Sequence, residues 1–241
     1  MDITAFENIV NNRRSNRKFA SDIDVPDEVI KKALELAILA PNSSNMQLWE
    51  FHWVKDKSLQ EKFHHICLNQ SAAKTAKHLV AFVGRRDLWK SHAAWNLNLV
   101  KEAIGNRAPS KREKRGMDYY GILMPLVYRR DWLGISTLIR RAICFIKGFS
   151  NPFMRINGNR DQNVIVQKSC ALAAQNFMLA IGAQGYDTCP MEGFDPILAR
   201  KALGLPKGAE LNMIVAVGKG TPEGIHGDRK RLPFEETVFI H

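Results

Sequence analysis

Two clusters of cations sit at opposite ends of this chain of 241 residues: Arg13-Arg14-Ser15-Asn16-Arg17-Lys18 and Arg229-Lys230-Arg231. Arginine offers a planar fork of donors and Ser15 adds a hydroxyl, a combination that suits a phosphate. The plainer reading of the first cluster is a set of cations well placed at a helix C-terminus. A second candidate is Pro41-Asn42-Ser43-Ser44-Asn45-Met46-Gln47-Leu48-Trp49, richer in small polar side chains than a turn needs. The amides of Asn45 and Gln47 donate and accept at once, which suits a flat heterocycle, although an ordinary turn has the same composition. The third is Cys189-Pro190-Met191-Glu192-Gly193-Phe194-Asp195-Pro196. Pro190 and Gly193 bracket a turn whose outward amides must find water, a side chain or a ligand. Asp195-Pro196 reads as an N-cap followed by proline at the first helical position.

The net charge of +11 fits nucleic acid, an anionic membrane surface or a phosphate-bearing ligand. Further basic clusters lie at Lys111–Arg115 and through Arg129–Lys147. A hydrophobic share of 45% with 24% charged residues is that of a soluble globular protein. Cys67, Cys144, Cys170 and Cys189 are widely spaced, without a Cys-x-x-Cys pair, which argues against a metal site and a disulfide scaffold. Reduced thiols and a polar N-terminus unlike a signal peptide make a cytoplasmic protein the expectation.

The elements that must position these residues follow from periodicity. Thr4 and Glu7 fit a capping box ahead of an apolar face of Phe6, Ile9 and Val10. Asp24 and Pro26 open a second helix that Pro41 stops, and Trp49, Phe51 and Trp53 alternate as a strand. Leu59, Phe63 and Ile66 mark a short helix ending at Asn69-Gln70; 78–84 and 211–217 read as buried strands, with His78 a structural histidine; 89–104 is helical. Residues 105–118 read as a solvated loop. In 119–150, Leu133, Ile135, Leu138, Ile139, Ala142, Ile143, Ile146 and Phe149 recur at helical spacing among Arg140, Arg141 and Lys147. Charges exclude a membrane span; a helix packed on its own protein or a partner subunit is preferred to one resting on anionic lipid. A small-sided helix runs from Asp161 through Ala183, a short one covers 196–203, and the tail ends in Phe234, Val238, Phe239 and Ile240, which need a surface such as a partner subunit.

These segments, in this order, resemble the FMN-dependent nitroreductases. Arg13-Arg14-Ser15-x-Arg17-x-Phe19 is similar to the family's phosphate-binding stretch, and Pro41-x-Ser43-Ser44-Asn45-x-Gln47-x-Trp49 to its polar loop, with Leu48 where the family has proline. Pro190 to Asp195 is similar to its flavin-facing turn and Arg229-Lys230-Arg231-Leu232-Pro233 to its C-terminal basic clamp. The likeness covers residues 3–104 and 157–233. It implies an α+β fold, a mixed sheet flanked by helices in an intertwined homodimer, as a single domain over 1–241 with a helical insertion at about 105–156.

The resemblance further implies tightly bound FMN, with NAD(P)H as co-substrate and a nitroaromatic, quinone or related small acceptor reduced in ping-pong order. Arg13, Arg14, Ser15, Arg17, Arg229 and Arg231 would meet the phosphate end, which carries roughly two negative charges. Ser43, Ser44, Asn45, Gln47 and Asn69 would address the ribityl chain and ring edge. Pro190, Met191, Glu192 and Gly193 would lie against the ring, the Glu192 amide near the flavin N5, with no catalytic side chain and no metal. The alternatives are reductive dehalogenation or flavin fragmentation on the same scaffold, or a non-enzymatic basic module for membrane or nucleic acid. No nucleic-acid motif is present.

Overall fold

The computed structural model describes residues 3–129, 135–150, 152, 154–156 and 158–241. Leu133 and Arg130 of the basic, apolar stretch lie outside the described residues. In chain order the elements are α1 (Ile3–Asn12), α2 (Asp27–Ile38), β1 (Trp49–Val54), α3 (Lys57–Ile66), α4 (Ser71–Thr75), β2 (His78–Gly84) and α5 (Trp89–Ile104). There follow α6 (Lys111–Asp118), a π-helical turn (Tyr119–Leu123), α7 (Met124–Tyr128), α8 (Ile135–Lys147) and α9 (Asn159–Ala183). The chain ends with β3 (Asp187–Met191), α10 (Pro196–Ala202), β4 (Glu210–Gly218) and α11 (Phe234–Thr237).

Four strands form one sheet in the order β1-β2-β4-β3, every neighbouring pair antiparallel. Side chains alternate across a strand. In β2, Val80 and Phe82 therefore enter one layer with Val215 and Val217, while Leu79, Ala81 and Val83 enter the other with Ile214 and Ala216. Both faces are covered, which is why β2 carries no polar alternation. The first layer is closed by α2 and α9, through Ile30, Ala33, Ala37, Ala173, Phe177 and Ile181. The second is closed by α3, α4 and α10, through Phe63, Ile66, Ala72 and Ala199. This is the α+β arrangement with helices flanking a sheet; among the described residues its one parallel element is the isolated bridge between Ser15 and Thr188.

The alanines of α9 let α2 approach closely, so the two helices pack along their small-residue faces. By length and composition α9 could cross a membrane, yet Cys170, Ala173, Ala174, Phe177 and Ile181 are fully buried in the core of this fold. All four cysteines are buried free thiols, and burial pushes Cys67 and Cys170 up to about 12. His78 has the structural role expected of it. The Trp53 indole donates to its Nδ1 at 3.2 Å, leaving Nε2 to donate to the Val25 carbonyl at 2.8 Å.

Three local expectations need correction. Thr4 lies within α1 and not at its cap. Asp24 is not a helix cap: α2 begins at Asp27 after Pro26, and Asp24 pairs with Lys77 at 2.8 Å. Residues 111–118 are helical, because Ser110 and Glu113 form a capping box and Arg107 pairs with Glu113, holding its carboxyl well below the usual range.

Phe177 is fully buried and packs edge-on to Phe82, ring centroids 5.4 Å apart. Phe177→Ala should cost about 3–5 kcal/mol, measured by urea denaturation; a loss below about 1 kcal/mol would show that α9 and the sheet are not packed as described.

Candidate functional site

The two ends of the chain meet. Arg13, Arg14, Ser15 and Arg17 face His226, Asp228, Arg229, Lys230 and Arg231 across a polar cavity of 190 Å³. The backbone builds this cleft through Asn16, which is 2% exposed. The Asn16 N–H donates to the Thr188 carbonyl at 3.1 Å, and its amide donates to the Thr221 carbonyl at 2.9 Å. Asn16 Oδ1 accepts from Lys18 N–H, and Arg17 N–H donates to the Gly224 carbonyl at 2.8 Å. A Cβ at Gly224 would collide with Asn16 Oδ1, so only glycine fits this close approach. Asn16 carries no signal in the sequence, because between Ser15 and Arg17 it looks like a spacer within a cationic run.

Arg229 donates to the carbonyls of Asn11 at 2.9 Å and Arg13 at 2.6 Å, with a longer bond to Val10 at 3.4 Å, so it caps the C-terminal turn of α1. Arg14 returns the link by donating to the Gly227 carbonyl at 2.8 Å. The N-terminal cluster therefore lies at a helix end and its cations line a cavity. Six cationic side chains line it against the single carboxylate of Asp228, and none of the six forms a salt bridge among the described residues. Burial, then Arg229, Arg231 and Arg14, pull the Arg13 guanidinium below its ordinary value. Like charges brought together without counter-charge store repulsion that a compact polyanion would relieve.

Beyond Arg17 the cleft continues. A second cavity of 320 Å³ shares Arg17 and His226 and reaches Gln70, Ser71 and Ala72 at the start of α4. Gln70 donates to the Gly193 carbonyl at 2.5 Å, which joins the Asn69-Gln70 turn to the third candidate stretch. Leu68 and Asn69 both have positive φ, 55° and 57°, so the turn is tight and leaves Asn69 exposed.

Pro190 and Met191 are not in a turn. They belong to β3, whose Asp187–Met191 pairs with β4, and Met191 is buried at 3%. Proline is tolerated because β3 is the sheet's edge strand. The turn starts only at Glu192, both Glu192 and Gly193 being exposed. Phe194 N–H bonds to Glu192 O and Asp195 N–H to Ile66 O, whereas the amides of Glu192 and Gly193 have no backbone acceptor among the described residues. Asp195 caps α10 as expected, accepting from Ile197 at 2.8 Å and Leu198 at 3.0 Å.

The polar loop stands apart from all this. Ser43 N–H bonds to Ser169 Oγ at 3.3 Å, while Arg13 lies against Gly182. Those two residues of α9 are on the order of 20 Å apart at 1.5 Å per residue. One chain thus brings together Arg13, Arg14, Ser15, Arg17, Arg229 and Arg231 with a path to Asn69 and Gly193, but not Ser43, Ser44, Asn45 and Gln47. The loop is nevertheless rigid. Ser44, Asn45 and Gln47 have φ of 58°, 50° and 49°, a costly run for non-glycine residues. Asn42 Oδ1 accepts from Gln47 N–H at 2.8 Å; the Asn45 amide donates to Asn96 Oδ1 at 3.0 Å and Asn96 donates back to the Asn45 carbonyl at 2.9 Å. Tyr119 and Tyr120 hold Ser44 through Oγ at 2.6 Å and the carbonyl at 3.1 Å. Asn96, 4% exposed, and the two tyrosines had no signal in the sequence beyond being polar groups on helical segments.

The site thus comprises a carboxylate-poor cationic cleft beside an edge strand, with a constrained polar loop farther along α9. A family model described as "Nitroreductase family" matches residues 10–219, and the chain belongs to that family. It is 28% identical over 222 residues to protein DrgA of Synechocystis sp., covering 92% of this chain and 87% of that one. It is 23% identical over 229 residues to an oxygen-insensitive NADPH nitroreductase of Helicobacter pylori, covering 92% and 90%. Among solved structures, an Exiguobacterium sibiricum protein crystallised in complex with FMN superimposes with a TM-score of 0.66 at 21% identity, covering 98% and 97% of the two chains.

Arg229→Met should free the carbonyls of Val10 and Asn11 and unseat α1 while leaving the sheet intact. Amide hydrogen exchange is expected to rise by about tenfold in residues 3–12 and to stay unchanged in β2 and β4, for a lost bond set of ~1.5 kcal/mol. Unchanged exchange in α1 would remove Arg229 from its capping role.

Proposed function

We propose that the protein is an FMN-dependent oxidoreductase that takes hydride from NAD(P)H and reduces nitroaromatic, quinone or related small acceptors in ping-pong order. The observation that carries the reading is the cleft of six cations without a paired carboxylate, of a size and charge suited to a phosphate monoester. The relative named as an NADPH nitroreductase and the FMN complex of similar fold support it. Arg13, Arg14, Arg17, Arg229 and Arg231, with the Ser15 hydroxyl, would hold the phosphate through charge-assisted bonds. The exposed Glu192–Gly193 amides would meet the ring and Asn69 the cofactor's middle. FMN, when bound, supplies the two-electron transfer between nicotinamide and acceptor. The protein's part is to bind, orient and neutralise, so no side chain acts as nucleophile or general base.

The distance along α9 between cleft and polar loop supports a site shared by two copies, with Ser43, Ser44, Asn45 and Gln47 supplied by the partner subunit. Exposed apolar side chains support the same homodimer. No residue of α1 is buried, leaving Ile3 and Phe6 bare, and the tail leaves Phe234, Phe239 and Ile240 uncovered. We place residues 105–156 as a helical insertion in a single domain and expect a cytoplasmic protein.

The purified protein should be yellow and should oxidise NADH or NADPH with a nitroaromatic or quinone; a preparation that stays colourless with excess riboflavin 5′-phosphate ends the proposal. Arg13→Glu should weaken FMN binding by about a hundredfold or more, from a charge-pair loss of ~3 kcal/mol, whereas Glu192→Ala should keep the colour because it acts through its backbone. Two colourless variants test the shared site. Arg13→Glu and Asn45→Lys chains, unfolded together and refolded, should regain colour that neither regains alone; continued absence of colour would assign cleft and loop to separate tasks.

A further inference from the structure

We propose that α8 is a docking surface for an anionic lipid bilayer. Among the described residues the helix is anchored on one side. Cys144, 5% exposed, directs Sγ at the Met154 carbonyl, Thr137 lies against Gly158, and Arg140 donates to the Leu126 carbonyl at 2.6 Å and the Val127 carbonyl at 3.3 Å. At 3.6 residues per turn, the opposite side gathers Ile135, Leu138, Ile139, Ala142 and Ile146, continued by Phe149. That side faces solvent: Leu138 is 73%, Ile146 69% and Phe149 78% exposed. The sequence preference for a helix packed on its own protein therefore holds for one side of α8, and the broader apolar side is left over. On the anchored side, an apolar cavity of 380 Å³ lined by Leu123, Leu126, Arg140, Cys144, Met154 and Ile156 shows that α8 is only loosely packed on the protein beneath it.

Charge selects the occupant. Between Tyr119 and Arg160 the sequence has six cationic side chains and one carboxylate, Asp131. Arg141 and Lys147 fall on the two margins of the apolar side and are exposed. Long basic side chains flanking an apolar face can bury their stems and keep their charges at headgroup level. A second copy fits less well. A two-fold contact through α8 would set the cationic margins of two copies against each other, and the whole chain already carries +11. Nucleic acid offers nothing to the six apolar side chains. Anionic lipid satisfies both parts, hydrocarbon for the isoleucines and phosphate for the cations.

The test is co-sedimentation of the full chain with vesicles of equal parts phosphatidylcholine and phosphatidylglycerol, with pure phosphatidylcholine vesicles alongside. The chain should bind the anionic vesicles, release with rising salt and bind pure phosphatidylcholine more weakly. Leu138→Glu with Ile146→Glu should abolish binding, and Arg141→Gln with Lys147→Gln should weaken it about thirtyfold, the loss expected for two juxtamembrane cations. These positions are exposed, so unchanged thermal unfolding is expected and separates docking from misfolding. Absence of binding to anionic vesicles overturns the proposal, as does binding that both variant pairs leave intact, since that would locate lipid contact elsewhere, for example at the arginine cleft. If vesicles are ignored and the glutamate pair instead reduces the assembly size, the surface is a contact between copies and the proposal is equally overturned.

Discussion

Arg13 and Arg229 lie side by side although nearly the whole chain separates them in sequence, and the rest of the architecture is arranged around keeping them there. Two guanidinium groups do not approach each other for their own benefit. Their proximity is enforced by hydrogen bonds that do not depend on charge balance, from Arg229 to the carbonyls at the end of α1 and from Arg14 to Gly227. Each such bond contributes on the order of 1.5–3 kcal/mol because one partner is ionised, enough to hold the cluster against a repulsion of similar size. The result is a preorganised cationic cleft, its electrostatic cost met by the backbone.

That preorganisation reaches the sheet through a single strand edge. β3 is bonded to β4 on one side, and on the other Ser15 and Asn16 run alongside Thr188. The arginine cluster and the Glu192–Gly193 turn are thus two ends of one backbone ladder. Pro190 fits there because an edge strand has a side on which no amide is required, and the same edge accepts the N-terminal segment opposite Thr188. Asn16 and the close-packed Gly224 fix the third wall. Moving any one of these pieces by a residue would rotate the arginines off the cavity.

How much of this the sequence discloses depends on the range over which each feature is determined. The buried strands, α9 and the Asp195 cap are set by local periodicity and capping chemistry, and they stand where periodicity puts them. The start of α2 was misread because Asp24 looks like a cap, and only the folded chain shows Lys77 claiming it. The helix at 111–118 was hidden by its charge, since a helix held by a capping box and an arginine pair has no apolar stripe to betray it. Asn16 and Asn96 are invisible in sequence for a deeper reason. Their importance lies in being buried with every amide atom assigned, a property of the neighbours rather than of the residue. The gap between the polar loop and the cleft is a matter of length along a helix, and motif order alone says nothing about it.

Leu48 shows how the polar loop can be stiffened without proline. Proline in this loop would stiffen it by restricting φ; leucine cannot, yet the loop holds three non-glycine residues at positive φ. The stiffness is supplied by burial instead. Leu48 and Met46 are 3% and 1% exposed, in a cluster with Ala93 of α5, Met124 and Tyr128 of α7, and Val166 of α9. Burying two such side chains contributes about 3–6 kcal/mol, against a cost of about 1–3 kcal/mol for each strained residue. The balance is near zero until Tyr119 and Tyr120 add their bonds to Ser44. The insertion's first half is therefore a structural support of the loop as well as a carrier of α8.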